Sequence, residues 1–508
     1  MHRRKTALES RSQIQRQRLR RSRLIRGVGG RAAAISATRL MNYGLVLISP
    51  VILVRLLSIE EFGRYREFLL YAGVLGSVAQ FGINSSLLRF LPDNPQSGLR
   101  FVNQAVLMTL VSSILVATGM LLLNHVFDGQ LVGDYAAPLA LYLLLYVNLD
   151  FWEFLWLAEK RSSAVLRYTT ARLVARIVVV TASAALTRDV SAIISSLICL
   201  EAVRLTLSAI GWRARARVSQ TSEPARWREQ LHYCLPFGAA LVLITLNKSL
   251  GSLFVTKWLG PVALAQYTIG TYLQPVISVL RNSLSDVVLP EMASLAREPH
   301  NKGLELWRRT TVMTAILLFA AGVLLARFAD VLVVTLFSDA YRPAVRLFQV
   351  YLLVFVREAM DFGIPLRAIN MTAPIMRGNL IAIMVNAVLI LVLLPLWGAL
   401  GAVFAVVIGR FLEGAYLAWQ TARAYEISLA SLAPWRDLLK VAACAVLASA
   451  VLYWRFWTER LGLFGVLAGG AIYMMSLALL LAGMRVPEAS LGLQLLLSAP
   501  ARVLRRRS

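Results

Sequence analysis

Long apolar runs, each about one helix in length and separated by short polar segments, dominate the chain. A helix rises ~1.5 Å per residue and the hydrocarbon layer is ~30 Å thick, so about 20 mainly apolar residues make a span. Such runs fall at 33–56, 67–90, 101–124, 136–158, 164–187, 190–212, 231–256, 265–290, 310–334, 346–366, 375–396, 399–421, 438–456 and 461–484. The pattern predicts an all-α integral membrane protein with about 14 transmembrane helices. Most intervening loops are too short to hold a domain, and the first run is too long and interrupted for a cleaved signal peptide.

Composition agrees. The 508 residues are 58% hydrophobic and 16% charged, which excludes a disordered chain and argues against an ordinary soluble globule. The net charge of +26 fits either a nucleic-acid binder or a membrane protein that keeps its Arg on one side. With an even number of spans, the two tails and alternate loops share a side. There 35 of the 53 Lys+Arg fall, eleven of them within residues 1–31, against ten on the opposite side. This positive-inside bias puts both termini in the cytoplasm and removes the main support for nucleic acid. The Arg-rich first tail reads as a topology anchor touching anionic lipid, with a cleavable organellar transit peptide as the minor alternative. Cys199, Cys234 and Cys444 are odd in number and lie in or beside apolar runs, so they read as small core residues rather than disulfide or metal partners.

A weak internal repeat is visible. VRLLSIEEFGRY at 54–65 aligns with TKWLGPVALAQY at 256–267, sharing Leu57/Leu259 and Tyr65/Tyr267, and Asp150-Phe151 aligns with Asp361-Phe362 at nearly the same offset. Six spans per period give a parallel repeat around a central cavity, with chance alignment of apolar helices as the competing explanation. The expected organisation is a basic tail (1–32), an N-lobe of six spans (33–212), a basic linker (213–230), a C-lobe of six spans (231–425), two extra helices (426–484) and a basic tail (485–508).

The run at 45–92 resembles the opening two spans of bacterial polysaccharide repeat-unit flippases of the Wzx type. Arg55, Leu56, Leu57, Glu61, Phe62, Gly63 and Tyr65 carry the first turn, and Phe81, Gly82 and Arg89 carry the second span. Residues 256–290 and the stretch starting Trp397-Gly398 resemble the same family's second half. That family belongs to the multidrug/oligosaccharidyl-lipid/polysaccharide exporter superfamily. The resemblance implies two six-helix lobes working by alternating access in the bacterial cytoplasmic membrane. It also implies a polyprenyl-diphosphate-linked oligosaccharide as substrate, moved to the outer leaflet, and no cofactor. Membrane lipids are the other expected partner, a monomer is the expected state, and the resemblance leaves room for a polysaccharide polymerase and export complex.

Eight basic residues remain inside the spans: Arg39, Arg172, Arg176, Arg204, Lys248, Arg281, Arg357 and Arg410. Facing lipid they would cost about 20–28 kcal/mol together, so most must snorkel, pair or line water. Arg39, Arg172 and Arg204 lie toward cytoplasmic ends and can snorkel. Arg410 with Glu413, Arg204 with Glu201, and Arg357 with Asp361 have the spacing of pairs on one helix face. Lys248 and Arg281 sit mid-span with no acid three or four positions away, beside Asn247 and Asn282; Arg172 and Arg176 form a cationic stripe on span five. A cavity lined by such cations suits a diphosphate, because Arg binds phosphate oxygens bidentately and Lys supplies a point charge. Arg39 and Arg357 complete the candidate cationic set. The deep acids Asp150, Glu153, Asp286 and Asp361 are candidates for ion coupling, the alternative being that they balance the Arg.

Competing classes lack their motifs. The four His are scattered, with no H-E-x-x-H, Cys/His ligand spacing or phosphate-binding loop, so neither a membrane glycosyltransferase or polymerase nor a single-chain ATP-driven pump is favoured. A drug/cation exporter would want a cavity dominated by acids, and a lipid II flippase of the same superfamily is the nearer rival.

Overall fold

The computed structural model describes residues 44, 47–93, 98–129, 132–216, 227–295, 302–453 and 462–484. The described residues form helices and short 3-10 turns, with no strand among them. In chain order the helices are α1 (Leu47–Leu56), α2 (Ile59–Gln80), α3 (Ile83–Asp93), α4 (Gly98–Val126), α5 (Ala136–Val147), α6 (Phe151–Ala158), α7 (Ser162–Thr187) and α8 (Val190–Ala216). There follow α9 (Trp227–Gly270), α10 (Gln274–Leu295), α11 (Lys302–Arg327), α12 (Ala329–Phe337), α13 (Ala344–Tyr351), α14 (Val354–Glu358) and α15 (Gly363–Ala368). The last are α16 (Ala373–Trp397), α17 (Ala399–Ala424), α18 (Leu429–Leu432), α19 (Trp435–Ala448) and α20 (Gly462–Gly483).

Among the described residues nine helices are long and apolar enough to cross a membrane, ten if the bent pair α2–α3 counts as one span. Four expected spans do not meet that test, each for a visible reason. The first lies partly outside the described residues. The eighth, in α10, is interrupted by Arg281, Asp286 and Glu291. The tenth is three short helices, α13 to α15, and the thirteenth is the 14-residue α19 running into a 3-10 turn. Rows of exposed Leu and Val, such as Leu107, Val111, Leu115 and Leu122 on α4, are the faces a bilayer would cover.

The chain divides into two compact units by its internal packing. The N-terminal unit holds residues up to Ile52, Leu75–Thr187 and Ser191–Ala239; the C-terminal unit holds Leu53–Val74, Arg188–Val190 and Ala240–Ser508. In the N-terminal unit α3 packs on α4 and α6 around Ile83, Leu87, Phe101, Val102, Phe151, Trp152 and Leu155, with Cys234 buried among them as a small core residue. A close approach fixes this packing: a Cβ added at Gly238 would lie 2.2 Å from the Phe81 carbonyl oxygen. In the C-terminal unit α16 and α17 form a tight hairpin turning at Gly398, whose φ of 59° suits glycine.

Two breaks matter for function. The expected fourth span stops at Val147 and restarts at Phe151, with Asp150 at the break. The expected tenth span stops at Glu358 and restarts at Gly363, with Asp361 at its break. These are the two Asp-Phe anchors of the sequence repeat. A broken helix frees backbone groups that hydrocarbon cannot satisfy, so polar side chains gather there. Asp361 Oδ1 accepts the Gly363 N–H at 2.9 Å, and the Phe362 carbonyl accepts the Thr421 hydroxyl at 3.2 Å.

Candidate functional site

In the N-terminal unit the break in the fourth span aims Asp150 at two arginines from different helices. Arg172 Nη1 of α7 lies 2.8 Å and Arg204 Nη2 of α8 3.0 Å from the same Asp150 oxygen. Gln80 Nε2 donates to the other oxygen at 2.7 Å. Arg204 also pairs with Glu201, as the three-residue spacing predicts, and donates from Nε to the Tyr168 hydroxyl. Arg172 stacks over the Tyr146 ring at 5.2 Å. Two arginines against Asp150 and Glu201 make this core formally neutral. The stripe of Arg172 and Arg176 has no acid on its own span, and at Arg172 the partner is Asp150 of the preceding span. The acid comes from 22 residues away, through a helix break that side-chain spacing on one helix cannot reveal. Arg176 and Glu153 are half-buried on α7 and α6.

The C-terminal unit differs. A cavity of about 30 Å³ is lined by Asn247, Lys248 and Ser252 of α9, with Tyr267 and Thr271, then Gln274, Tyr351, Asn386 of α16, and Gly409 and Arg410 of α17. Among the described lining residues two are cations and none is a carboxylate. Small residues make the room: a Cβ at Gly251 would sit 2.1 Å from the Tyr267 hydroxyl. Just outside, Glu413 is shared by Arg410 at 3.4 Å and Arg357 at 3.9 Å. The Arg410–Glu413 pair matches its spacing. The Arg357–Asp361 pair does not form, because the helix between them ends at Glu358; Arg357 reaches Glu413 and the Arg410 and Met360 carbonyls instead. Gly414 makes space for it, since a Cβ there would lie 2.7 Å from the Arg357 Nε. Asp361 pairs with Arg367 at 3.5 Å, and its carbonyl accepts the Trp307 Nε1–H.

Of the remaining sequence candidates, Arg39 lies outside the described residues, and Arg281, Asn282 and Asp286 lie in α10 with side chains outside them. Sequence reasoning placed Asn247 and Lys248 at a site but missed Asn386, Tyr267 and Tyr351 and treated Arg410 only as a structural pair. The signal for Asn386 was present: the one polar residue in the run from Leu380 to Trp397 of a 25-residue helix. No cluster that could hold a metal ion occurs among the described residues, and the three cysteines are free.

A family profile described as "Polysaccharide biosynthesis protein" matches residues 52–346, more than half of the chain. No curated protein matches the sequence. Among solved structures the chain is similar to the lipid II flippase MurJ in an inward closed conformation, at 15% identity and TM-score 0.68, covering 89% of this chain and 99% of that one. It is similar to an inward-facing multidrug resistance MATE family transporter of the MOP superfamily (13% identity, TM-score 0.53, 78% and 98% covered). It is also similar to the Vibrio cholerae MATE transporter VcmN (11% identity, TM-score 0.51, 79% and 99% covered). At these identities the likeness establishes a shared fold.

Proposed function

Because the chain belongs to the polysaccharide biosynthesis protein family and has the fold of these multi-pass transporters, we propose that it is a flippase. It carries a polyprenyl-diphosphate-linked oligosaccharide from the cytoplasmic to the outer leaflet of the bacterial inner membrane by alternating access, both termini being cytoplasmic. It is a transporter and no enzyme, and its glycan feeds cell-surface polysaccharide such as O-antigen or exopolysaccharide. The observation that carries this reading is the cavity in the C-terminal unit, whose described lining residues include Lys248 and Arg410 and no carboxylate. A cationic drug would be repelled there, whereas an anionic headgroup is attracted.

Within this reading Lys248, with Arg281 on α10, meets the headgroup; Arg176 is a separate candidate in the N-terminal unit. Arg172 and Arg204 hold the break at Asp150 instead. For Asp150 we favour pairing over ion coupling, since two guanidinium groups already share one of its oxygens. Lipid II flipping is the second reading, favoured by the fold match to MurJ. Proteoliposomes holding the purified chain and a fluorescent polyprenyl-diphosphate glycan test the proposal. Dithionite quenching should reach the lipids of both leaflets when protein is present, and only the outer leaflet if the reading is mistaken. Parallel vesicles with lipid II separate the two readings.

A further inference from the structure

The turn between α1 and α2 does not pack with the rest of its own helices. The chain up to Ile52 and again from Leu75 belongs to the N-terminal unit, whereas Leu53–Val74 packs as part of the C-terminal unit. Four contacts within that unit hold this tip. Phe62, fully buried, meets the buried Tyr341 ring edge-on at 6.2 Å. Gly63 lies so close to Pro261 that a Cβ there would come within 2.0 Å of its carbonyl oxygen. The Arg55 guanidinium donates to the Thr335 carbonyl, in the last turn of α12. Glu61 Oε2 accepts the Val190 N–H, at the start of α8, at 2.8 Å. The two charged contacts are helix caps of the right sign, a carboxylate on an N-terminus and a guanidinium on a C-terminus. Ser58 and Glu61 have the spacing of a local capping box, and Ser58 Oγ does accept the Glu61 N–H at 3.1 Å. The carboxylate, however, serves a helix 129 residues away instead of turning back on Ser58. The turns joined in this way follow the first, fifth, seventh and ninth expected spans, which odd numbering places together on the face away from the basic tails. The docked form is not a permanent seal. The buried Tyr341 hydroxyl has no hydrogen-bond partner among the described residues, which raises the energy of the docked tip relative to a form in which water reaches it.

We propose, resting on the flippase reading, that the Arg55–Tyr65 turn is the latch on the outer end of the transport path. Phe62 is its bolt, seated on Tyr341, and Arg55 holds it to α12. Glu61 is a positioning residue that ties the α7–α8 turn to the tip, so that both lift together. Release of the headgroup to the outer leaflet requires the latch to open. Its exposed Arg55 contact and the unsatisfied Tyr341 hydroxyl keep the docked and lifted forms close in energy.

Thiol labelling of the full chain in right-side-out vesicles tests this, in a background of Cys199→Ala, Cys234→Ala and Cys444→Ala. Thr256 is buried on α9 across from Glu67 of the tip, so at Thr256→Cys a membrane-impermeant maleimide reacts only when the tip lifts. Phe62→Ala should speed labelling tenfold or more, and Arg55→Gln and Glu61→Gln several-fold. Tyr341→Phe removes the unsatisfied hydroxyl and keeps the ring, so it should slow both labelling and flipping several-fold. In a second protein, without the Thr256 change, Phe62→Cys and Tyr341→Cys are bridged by a short bis-methanethiosulfonate. The bridge should stop flipping and a reductant should restore it. Bridged protein that flips at the unbridged rate overturns the latch, and so does unchanged labelling in folded Phe62→Ala and Arg55→Gln. Tyr341→Phe and the reversible bridge keep the test open if the other variants fail to fold. Protein whose labelling responds as stated but which flips no lipid-linked glycan keeps the latch and loses the transport reading; protein that flips with labelling indifferent to every variant does the reverse.

Discussion

Replacing Asp150 with Asn should destabilise the N-terminal unit by about 3 kcal/mol. The carboxylate is 12% exposed, and its partners Arg172 and Arg204 are 21% and 10% exposed. Both guanidinium groups meet one oxygen, so their donor nitrogens lie no more than about 6 Å apart. At an effective dielectric of ~20 two such charges repel by about 3 kcal/mol, which the aspartate at present offsets. Removing one member of a buried ion pair typically costs about 3–5 kcal/mol for the same reason. Asn keeps the shape and can still bond Gln80, and Glu201 still serves Arg204, so the low end of that range applies. Denaturant titration in mild detergent, followed by tryptophan emission, reads this out, since Trp152, Trp156 and Trp212 cluster in the same unit. Adding Arg172→Gln removes the unmatched charge and should restore about 2 kcal/mol, giving a strong coupling in the double-mutant cycle. Asp150→Asn at wild-type stability, or a double variant less stable by the plain sum, would refute the account of this centre.

Further outcomes follow from other parts of the molecule. Gly238→Ala should lower the melting temperature by several degrees, since its Cβ would press on the Phe81 carbonyl, while Gly73→Ala, mid-helix in α2 with nothing within 4 Å, should not lower it. Lys248→Ala and Arg281→Ala should abolish glycan export at wild-type protein levels in immunoblots; normal export by both would remove them from the headgroup site. In inverted vesicles, flipping that ignores both a pH gradient and a Na⁺ gradient is expected if Asp150 and Asp361 act as ion-pair partners, and a response to either gradient would reopen ion coupling.

Much of this architecture was legible in hydrophobic patterning, because a bilayer forces each crossing to be a helix of fixed length. The long helices α4, α7, α8, α11, α16 and α17 fall where apolar runs lie. Patterning failed where the chain breaks a span, at Asp150 and at Asp361, because an apolar run is silent about a local interruption of its hydrogen bonds. The site was legible only on single helices. Pairs three apart, Glu201 with Arg204 and Arg410 with Glu413, formed as spacing implies. The Arg172–Asp150 pair joins two helices, and the Arg357–Glu413 pair joins α14 to α17, so neither could be read from spacing. Asn386 was visible as an amide inside an apolar run, but its burial beside two cations is a matter of packing alone.

Deleting the gene and locating the lipid-linked repeat units tests the central claim most directly. Loss of the protein should leave polyprenyl-diphosphate glycan in the cytoplasmic leaflet, inaccessible to a glycosidase added outside the inner membrane, and surface polysaccharide should fall. Lipid-linked glycan reaching the outer leaflet at the normal rate, in the absence of any other flippase able to carry it, would contradict the account.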